Sequence, residues 1–139
     1  MELRLMTPAD AQAAIALWQA TPGVGTNAVD DTPAGLARFL RHNPTTCFVA
    51  EANGQLAGTI LAGHDGRRAT LYHVCVAPRH QGRGLGRQLA AAALNALRAE
   101  GIQKALLVCF TDNTAGCAFC AHTGWTQRQD LCYFDRVLQ

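Results

Sequence analysis

Residues 79–89 read RHQGRGLGRQL, with Gly82, Gly84 and Gly86 set among Arg79, Arg83 and Arg87. The stretch follows VCVAP, which has the composition of a strand, and leads into AAAALNALRAEG, a run of strong helix formers. Glycine allows a chain to present consecutive backbone N–H groups. A helix start adds its own unpaired donors, and the helix dipole favours negative charge there. With full positive charges nearby, this arrangement predicts an anion site, and a phosphate or pyrophosphate is the ligand class that fits it. Spacing removes the commonest nucleotide sites: no GxxxxGK followed by Ser or Thr occurs, and a GxGxxG count from Gly82 and Gly84 ends on Arg87.

Other residue types capable of chemistry are more scattered. His73 is of the type suited to moving protons near neutral pH, while Glu51 and Asp65 are carboxylates that a water could link to a reacting group. Asp30 and Asp31 precede Thr32-Pro33; their charge could attract a cationic amine, but they read first as a capping cluster. The chain has six cysteines, several inside apolar runs such as TCFVAE and LLVCF, where a cysteine behaves as a small buried hydrophobe. Cys117 and Cys120 form a CxxC with His122 two residues on, but there is no second ligand pair at zinc-site spacing. No metal is expected.

The elements that must position these residues follow from periodicity and punctuation. Residues 2–6 alternate as a first strand, and Thr7-Pro8 supplies the cap-plus-proline start of a helix reaching about residue 20. The loop TPGVGTNAVDD intervenes. Thr32-Pro33 then repeats the start signal for a helix with Leu36, Phe39 and Leu40 on one face. TCFVAEA, QLAGTILAGH and RATLYHVCV read as three strands of an antiparallel meander, separated by Asn53-Gly54 and Asp65-Gly66. A helix closed by Gly101 connects VCV to KALLVCF, which makes those two strands parallel. A short helix from about 114 to 123 and a last strand over LCYFDRV complete the order. The expected architecture is α/β, with a mixed, mostly antiparallel sheet carrying helices on both faces, in one domain over residues 1–139.

Composition restricts function further. A net charge of +2 and 16% charged residues argue against nonspecific nucleic-acid binding, so any anion site is local. No signal-peptide pattern and no apolar run of about eighteen residues is present, which predicts a cytoplasmic protein with no membrane partner.

Three segments carry a resemblance. VCVAPRHQGRGLGRQL resembles the acyl-CoA motif of the GNAT superfamily of N-acetyltransferases, in which Val-x-Pro leads into Gln/Arg-x-x-Gly-x-Gly/Ala; Gln81, Gly84 and Gly86 fill those places. NTAGCAFCAHTGW resembles the family's Asn-x-x-Ala-x-x-Phe-Tyr-x-x-x-Gly-Phe segment through Asn113, Phe119, Gly124 and Trp125. GHDGRRATLYHVCV looks like the hairpin strand of a bacterial subgroup. The element order is also the family's order, so the resemblance covers essentially the whole chain.

The resemblance implies acetyl-CoA as donor. Its pyrophosphate is expected on the amides of Gln81, Gly82, Arg83, Gly84, Leu85 and Gly86, its pantetheine against the backbone of Val74, Cys75 and Val76, and Asn113 nearby. The two parallel central strands are expected to splay so that the thioester sits between them, with a backbone N–H near Val76 as oxyanion donor. By family analogy Thr70 and Tyr72 form the acceptor wall, and strand parity then sends His73 the other way, to a buried structural role. Catalytic candidates are Tyr72, His73 and Cys120. The sequence departs from the family at Cys120, which replaces the tyrosine thought to protonate the leaving thiolate. A thiol titrating near 8.5 either shares that proton or only fills space. Gly116 stands where alanine is usual, with no evident consequence. The acceptor is a small-molecule or peptide amine bounded by the TPGVGTNAVDD loop, and a homodimer is within the family's range. An acyl-CoA-binding module without transferase activity is the alternative, supported by the missing tyrosine.

Overall fold

The computed structural model describes residues 1–138 and divides into two compact units, Met1–Val108 and Cys109–Gln139. The first unit holds β1 (Glu2–Leu5), α1 (Ala11–Ala20), α2 (Pro33–His42), β2 (Phe48–Ala52), β3 (Gln55–His64), β4 (Ala69–Val76), α3 (Leu85–Ala99) and β5 (Ala105–Leu107). The second holds α4 (Thr114–His122). The strands form one sheet in the order β1-β2-β3-β4-β5, antiparallel throughout except for the parallel β4–β5 pair. This is the expected mixed α/β architecture.

Local chemistry explains most boundaries. Thr7 and Pro8 start a short 3-10 turn that runs into α1, with Asp10 accepting from the Thr7 backbone N–H at 2.8 Å. At α2 the Thr32 hydroxyl accepts from Gly35 N–H at 3.0 Å, so the hydroxyl and not the preceding acidic pair is the cap. The Asn53-Gly54 turn has φ of 54° and 75°, as a two-residue hairpin of that type requires.

The sheet separates two apolar layers. On one face Met6, Ala14, Trp18, Leu36, Leu40, Cys47, Val49, Leu61 and Cys75 pack as a buried cluster under α1 and α2. On the other, α3 lies so close that a methyl group at Gly58 would come within 2.9 Å of a Leu89 methyl and of the Cys75 carbonyl. Gly63 plays the same part toward α2, where an added methyl would stand 2.6 Å from the Phe39 ring.

Two expectations change. The segment 131–137 has strand-like composition but forms no strand, and Leu131, Tyr133, Phe134 and Val137 are exposed. A strand exists only as half of a ladder, and alternation along the chain supplies no partner. Consequently β5 is the last strand of the sheet in the described residues. Among the cysteines, Cys47 and Cys75 are buried as expected, whereas Cys109 and Cys120 are half-buried and Cys117 and Cys132 exposed.

Candidate functional site

The end of β4 departs from a regular pleat. Pairing with β3 runs from His64↔Ala69 to Leu61↔Tyr72, then resumes one residue out of step at Thr59↔Cys75 and Gly58↔Val76. His73 and Val74 are therefore both set against Ile60, a β-bulge. His73 adopts a φ of 50°, a left-handed conformation that costs a non-glycine residue about 1–3 kcal/mol.

Three contacts hold it there. The imidazole stacks on the Trp18 indole of α1 at a centroid distance of 3.8 Å and an interplanar angle of 16°. The His73 carbonyl accepts from the Thr59 hydroxyl at 2.8 Å, and that hydroxyl in turn accepts from Trp18 Nε1–H at 2.8 Å. His73 Nε2 lies 2.9 Å from Asp31 Oδ1, with the two side chains 13% and 14% exposed. An ionised carboxylate only accepts, so Nε2 carries the proton and the lone pair of the neutral ring is on Nδ1. Nδ1 has no partner among the described residues. Asp31 comes from the loop between α1 and α2, where its other oxygen accepts from Asn27 N–H at 2.8 Å.

The bulge also corrects the parity argument. A regular strand would send Tyr72 and His73 to opposite faces. Both instead turn toward the helix pair, Tyr72 meeting Phe39 of α2 edge-on at 5.8 Å and His73 stacking on α1. Asp31 was read from sequence first as a cap and otherwise as a charge for a cationic amine; its pairing with His73 is what sequence reasoning missed. Its only signal was an acid in a long loop, and the 42-residue separation from His73 is bridged by the fold alone.

Beyond the bulge, a 3-10 turn at Pro78–His80 leads into the glycine loop and α3. Gly82 and Gly84 have φ of 78° and 80°, and no atom lies within 4 Å of where a side chain would begin. The backbone there is bare and accessible, next to the N-terminus of a fifteen-residue helix. Leu85 is buried and anchors the loop to the sheet, leaving only its amide for a ligand, while Gly86 lies in the first helical turn. Gln81 Nε2–H donates to the Val76 carbonyl at 3.0 Å, tying the loop to the strand end. Arg79 is drawn aside to Gln55 at 2.7 Å, while Arg83 is exposed with no ion-pair partner among the described residues. Registered pairing with β5 ends at Leu71↔Leu107, so Val74, Cys75 and Val76 have no partner on that strand. The bulge and the glycine loop thus occupy the two ends of one short segment.

The remaining candidates sort clearly. Glu51 is paired with Arg4 at 2.7 Å, and Arg4 also holds Asp10 at 2.8 Å. Asp65 accepts from the amides of Arg67 and Arg68 and serves the β3–β4 turn. An open groove of about 440 Å³ lined by Arg4, Asp10, Leu17, Glu51, Gln55 and Arg79 contains none of the catalytic candidates; Arg4, Asp10 and Glu51 there satisfy one another and Arg79 donates to Gln55. In the second unit Asn113 caps α4, its side-chain oxygen accepting from Gly116 N–H at 3.0 Å. Burial, and secondarily the neighbouring Cys117, pushes the Cys120 thiol above its ordinary range, which keeps it protonated. Among the described residues there is no group of three or more His, Cys, Asp or Glu able to hold a metal ion. No helix there is long and apolar enough to cross a membrane.

Comparison with known proteins adds a consistent picture. Residues 11–125 match the model of the acetyltransferase (GNAT) family. An acetyltransferase of Photorhabdus laumondii is 33% identical over 143 residues, covering 99% of this chain and 96% of its own. One from Pectobacterium atrosepticum is 33% identical over 115 residues, 83% of this chain and 80% of its own. Among solved structures, Ard1 from Thermoplasma volcanium shares the fold with a TM-score of 0.77 at 22% identity, over 88% of this chain and 80% of that one. The aminoglycoside N-acetyltransferase AAC(6')-Iy, solved with CoA, has a TM-score of 0.76 at 17% identity, over 99% of this chain and all of the other.

Proposed function

The chain belongs to the GNAT family of acetyltransferases, and from that premise we propose that it moves the acetyl group of acetyl-CoA to a primary amine by direct attack, with His73 as the base. The observation that carries this reading is the His73–Asp31 pair at the β4 bulge, with Nδ1 left without a partner among the described residues. The acceptor is a small-molecule or peptide amine, the whole of residues 1–139 acts as one catalytic domain, and the protein works in the cytoplasm.

The residues present suit such a donor. The bare backbone at Gly82 and Gly84 and the first turn of α3 offer N–H groups to a pyrophosphate, through the amides of Gln81, Gly82, Arg83, Gly84, Leu85 and Gly86. Val74, Cys75 and Val76 offer main-chain groups to the pantetheine, and a backbone N–H near Val76 supports the oxyanion. When bound, acetyl-CoA supplies a thioester carbonyl open to nucleophilic attack. His73 Nδ1 then takes a proton from the incoming ammonium, and Asp31 stabilises the imidazolium through Nε2–H. Tyr72 walls the acceptor side; within the second unit Asn113 orders the start of α4 and the Cys120 thiol stays protonated, the form that can give up a proton. Structures of the same fold include aminoglycoside acetyltransferases and a ribosomal-protein-alanine N-acetyltransferase, in keeping with a small-molecule or peptide amine.

A thiol-release assay across an amine panel, run on wild type, His73→Asn and Asp31→Asn, tests the reading. Asparagine tolerates a left-handed φ, so His73→Asn keeps the bulge. We expect kcat to fall about 10²–10⁴-fold with CoA affinity retained. A kcat within about threefold of wild type over the pH range would refute His73 as base.

A further inference from the structure

A pair of thiols in the second unit is not used by the transfer chemistry. Cys109 and Cys117 are eight residues apart in sequence, yet their sulfurs lie 3.8 Å apart. Cys117 projects from the first turns of α4, exposed, with its sulfur also 3.6 Å from the Phe110 carbonyl. Cys109 is half-buried behind it. The approach depends on Gly116. A methyl group there would stand 2.8 Å from Cys109 Sγ and 2.5 Å from Asn113 Nδ2, so an alanine, the residue usual at this place in the family, would push the Cys109 sulfur away. The departure at Gly116, without consequence when read along the sequence, is what admits Cys109 to the side of α4.

We propose that Cys109 and Cys117 are a modification site: a dithiol that a peroxide converts to an intramolecular disulfide. The sulfurs, already in contact at 3.8 Å, must close to about 2.05 Å. The exposed Cys117 reacts first. Its thiolate attacks one peroxide oxygen, an S–O bond forms as the O–O bond breaks, and with the thiol proton the departing hydroxide leaves as water, giving a sulfenic acid. The Cys109 sulfur then attacks Cys117 Sγ, the S–S bond forms as the S–O bond breaks, and a second water departs. Two thiols lose two electrons and one hydrogen peroxide accepts them. Burial, with the neighbouring cysteines adding to it, pushes the Cys109 thiol up to about 11, which suits the resolving partner rather than the first to react. The short sulfur contact of Cys117 is to Cys109.

The experiment uses the full-length protein treated with hydrogen peroxide, alkylated under denaturing conditions and digested with trypsin. Residues 105–128 contain Cys109, Cys117 and Cys120 and no internal lysine or arginine, so all three thiols fall in one peptide. The expected product is that peptide lighter by two hydrogens, with Cys120 alkylated and no backbone fragments between 109 and 117. Dithiothreitol restores three alkylated cysteines. Cys117→Ser abolishes the mass loss, Cys132→Ser leaves it, and Gly116→Ala slows its formation at least several-fold. Because the mapping is done on wild type, it does not depend on any variant folding. A Cys117–Cys120 link, a Cys132-linked dimer in its place, or oxidation to sulfinic acid with no link each overturns the proposal.

Discussion

Thr59 is the point at which the bulge can be tested without touching the imidazole. Its hydroxyl accepts from Trp18 Nε1–H and donates to the His73 carbonyl, both at 2.8 Å, and Trp18 and Thr59 are completely buried. Thr59→Val keeps the shape and removes the oxygen. The Trp18 N–H is then a buried donor with no acceptor, costing about 1–3 kcal/mol, and the His73 carbonyl loses one further bond worth about 1 kcal/mol. Together these predict a loss of about 2–4 kcal/mol, which for a domain of this size lowers Tm by roughly 6–16 °C. Urea denaturation with unchanged m-value, backed by calorimetry, measures it. Thr59→Ser retains both bonds and gives up only a buried methyl, for a cost of about 1 kcal/mol. If Thr59→Val loses less than about 0.5 kcal/mol, or if the serine variant is as damaged as the valine one, the hydrogen-bonded chain does not support the bulge.

Gly84→Ala, at φ 80°, should destabilise by about 1–2 kcal/mol and weaken CoA binding at least tenfold by calorimetry, whereas Gly101→Ala, at φ 84°, bears the same strain and should leave binding unchanged. Asp10 sits beside the Arg4 guanidinium, whose hydrogen bonds hold its carboxyl below the ordinary value near 3.9. A depressed folded-state value means the stabilisation is present above the unfolded value and disappears as pH falls through the folded one. Asp10→Asn should therefore cost about 1–3 kcal/mol at pH 7, and the cost should shrink as pH falls below the ordinary carboxyl value, seen as converging urea midpoints.

Much of the fold was legible because its signals are local. Pro8 and Pro33 each follow a threonine and start a helical turn, and the Asn53-Gly54 pair adopts the two positive φ values of a tight hairpin. The parallel β4–β5 pair followed from one intervening helix. The glycine loop was legible for the same reason, since bare backbone at a helix start is a property of consecutive residues. The segment 131–137 was not, because alternation describes a strand's faces and says nothing about its neighbour.

The site illustrates the other half. Parity assigned Tyr72 and His73 to opposite faces, and one inserted residue in the ladder brought both to the helix side. Asp31 looked like a cap until the α1–α2 loop laid it against His73, and Gly116 looked neutral until Cys109 occupied the space its missing methyl leaves. From its sequence alone this protein has the order of its elements as far as α4, its family and the loop suited to an anion, since each is written in neighbouring residues. The bulge, the His73–Asp31 pair and the Cys109–Cys117 contact were decided only by tertiary structure, because each joins residues whose distance is set by packing and not by position along the chain.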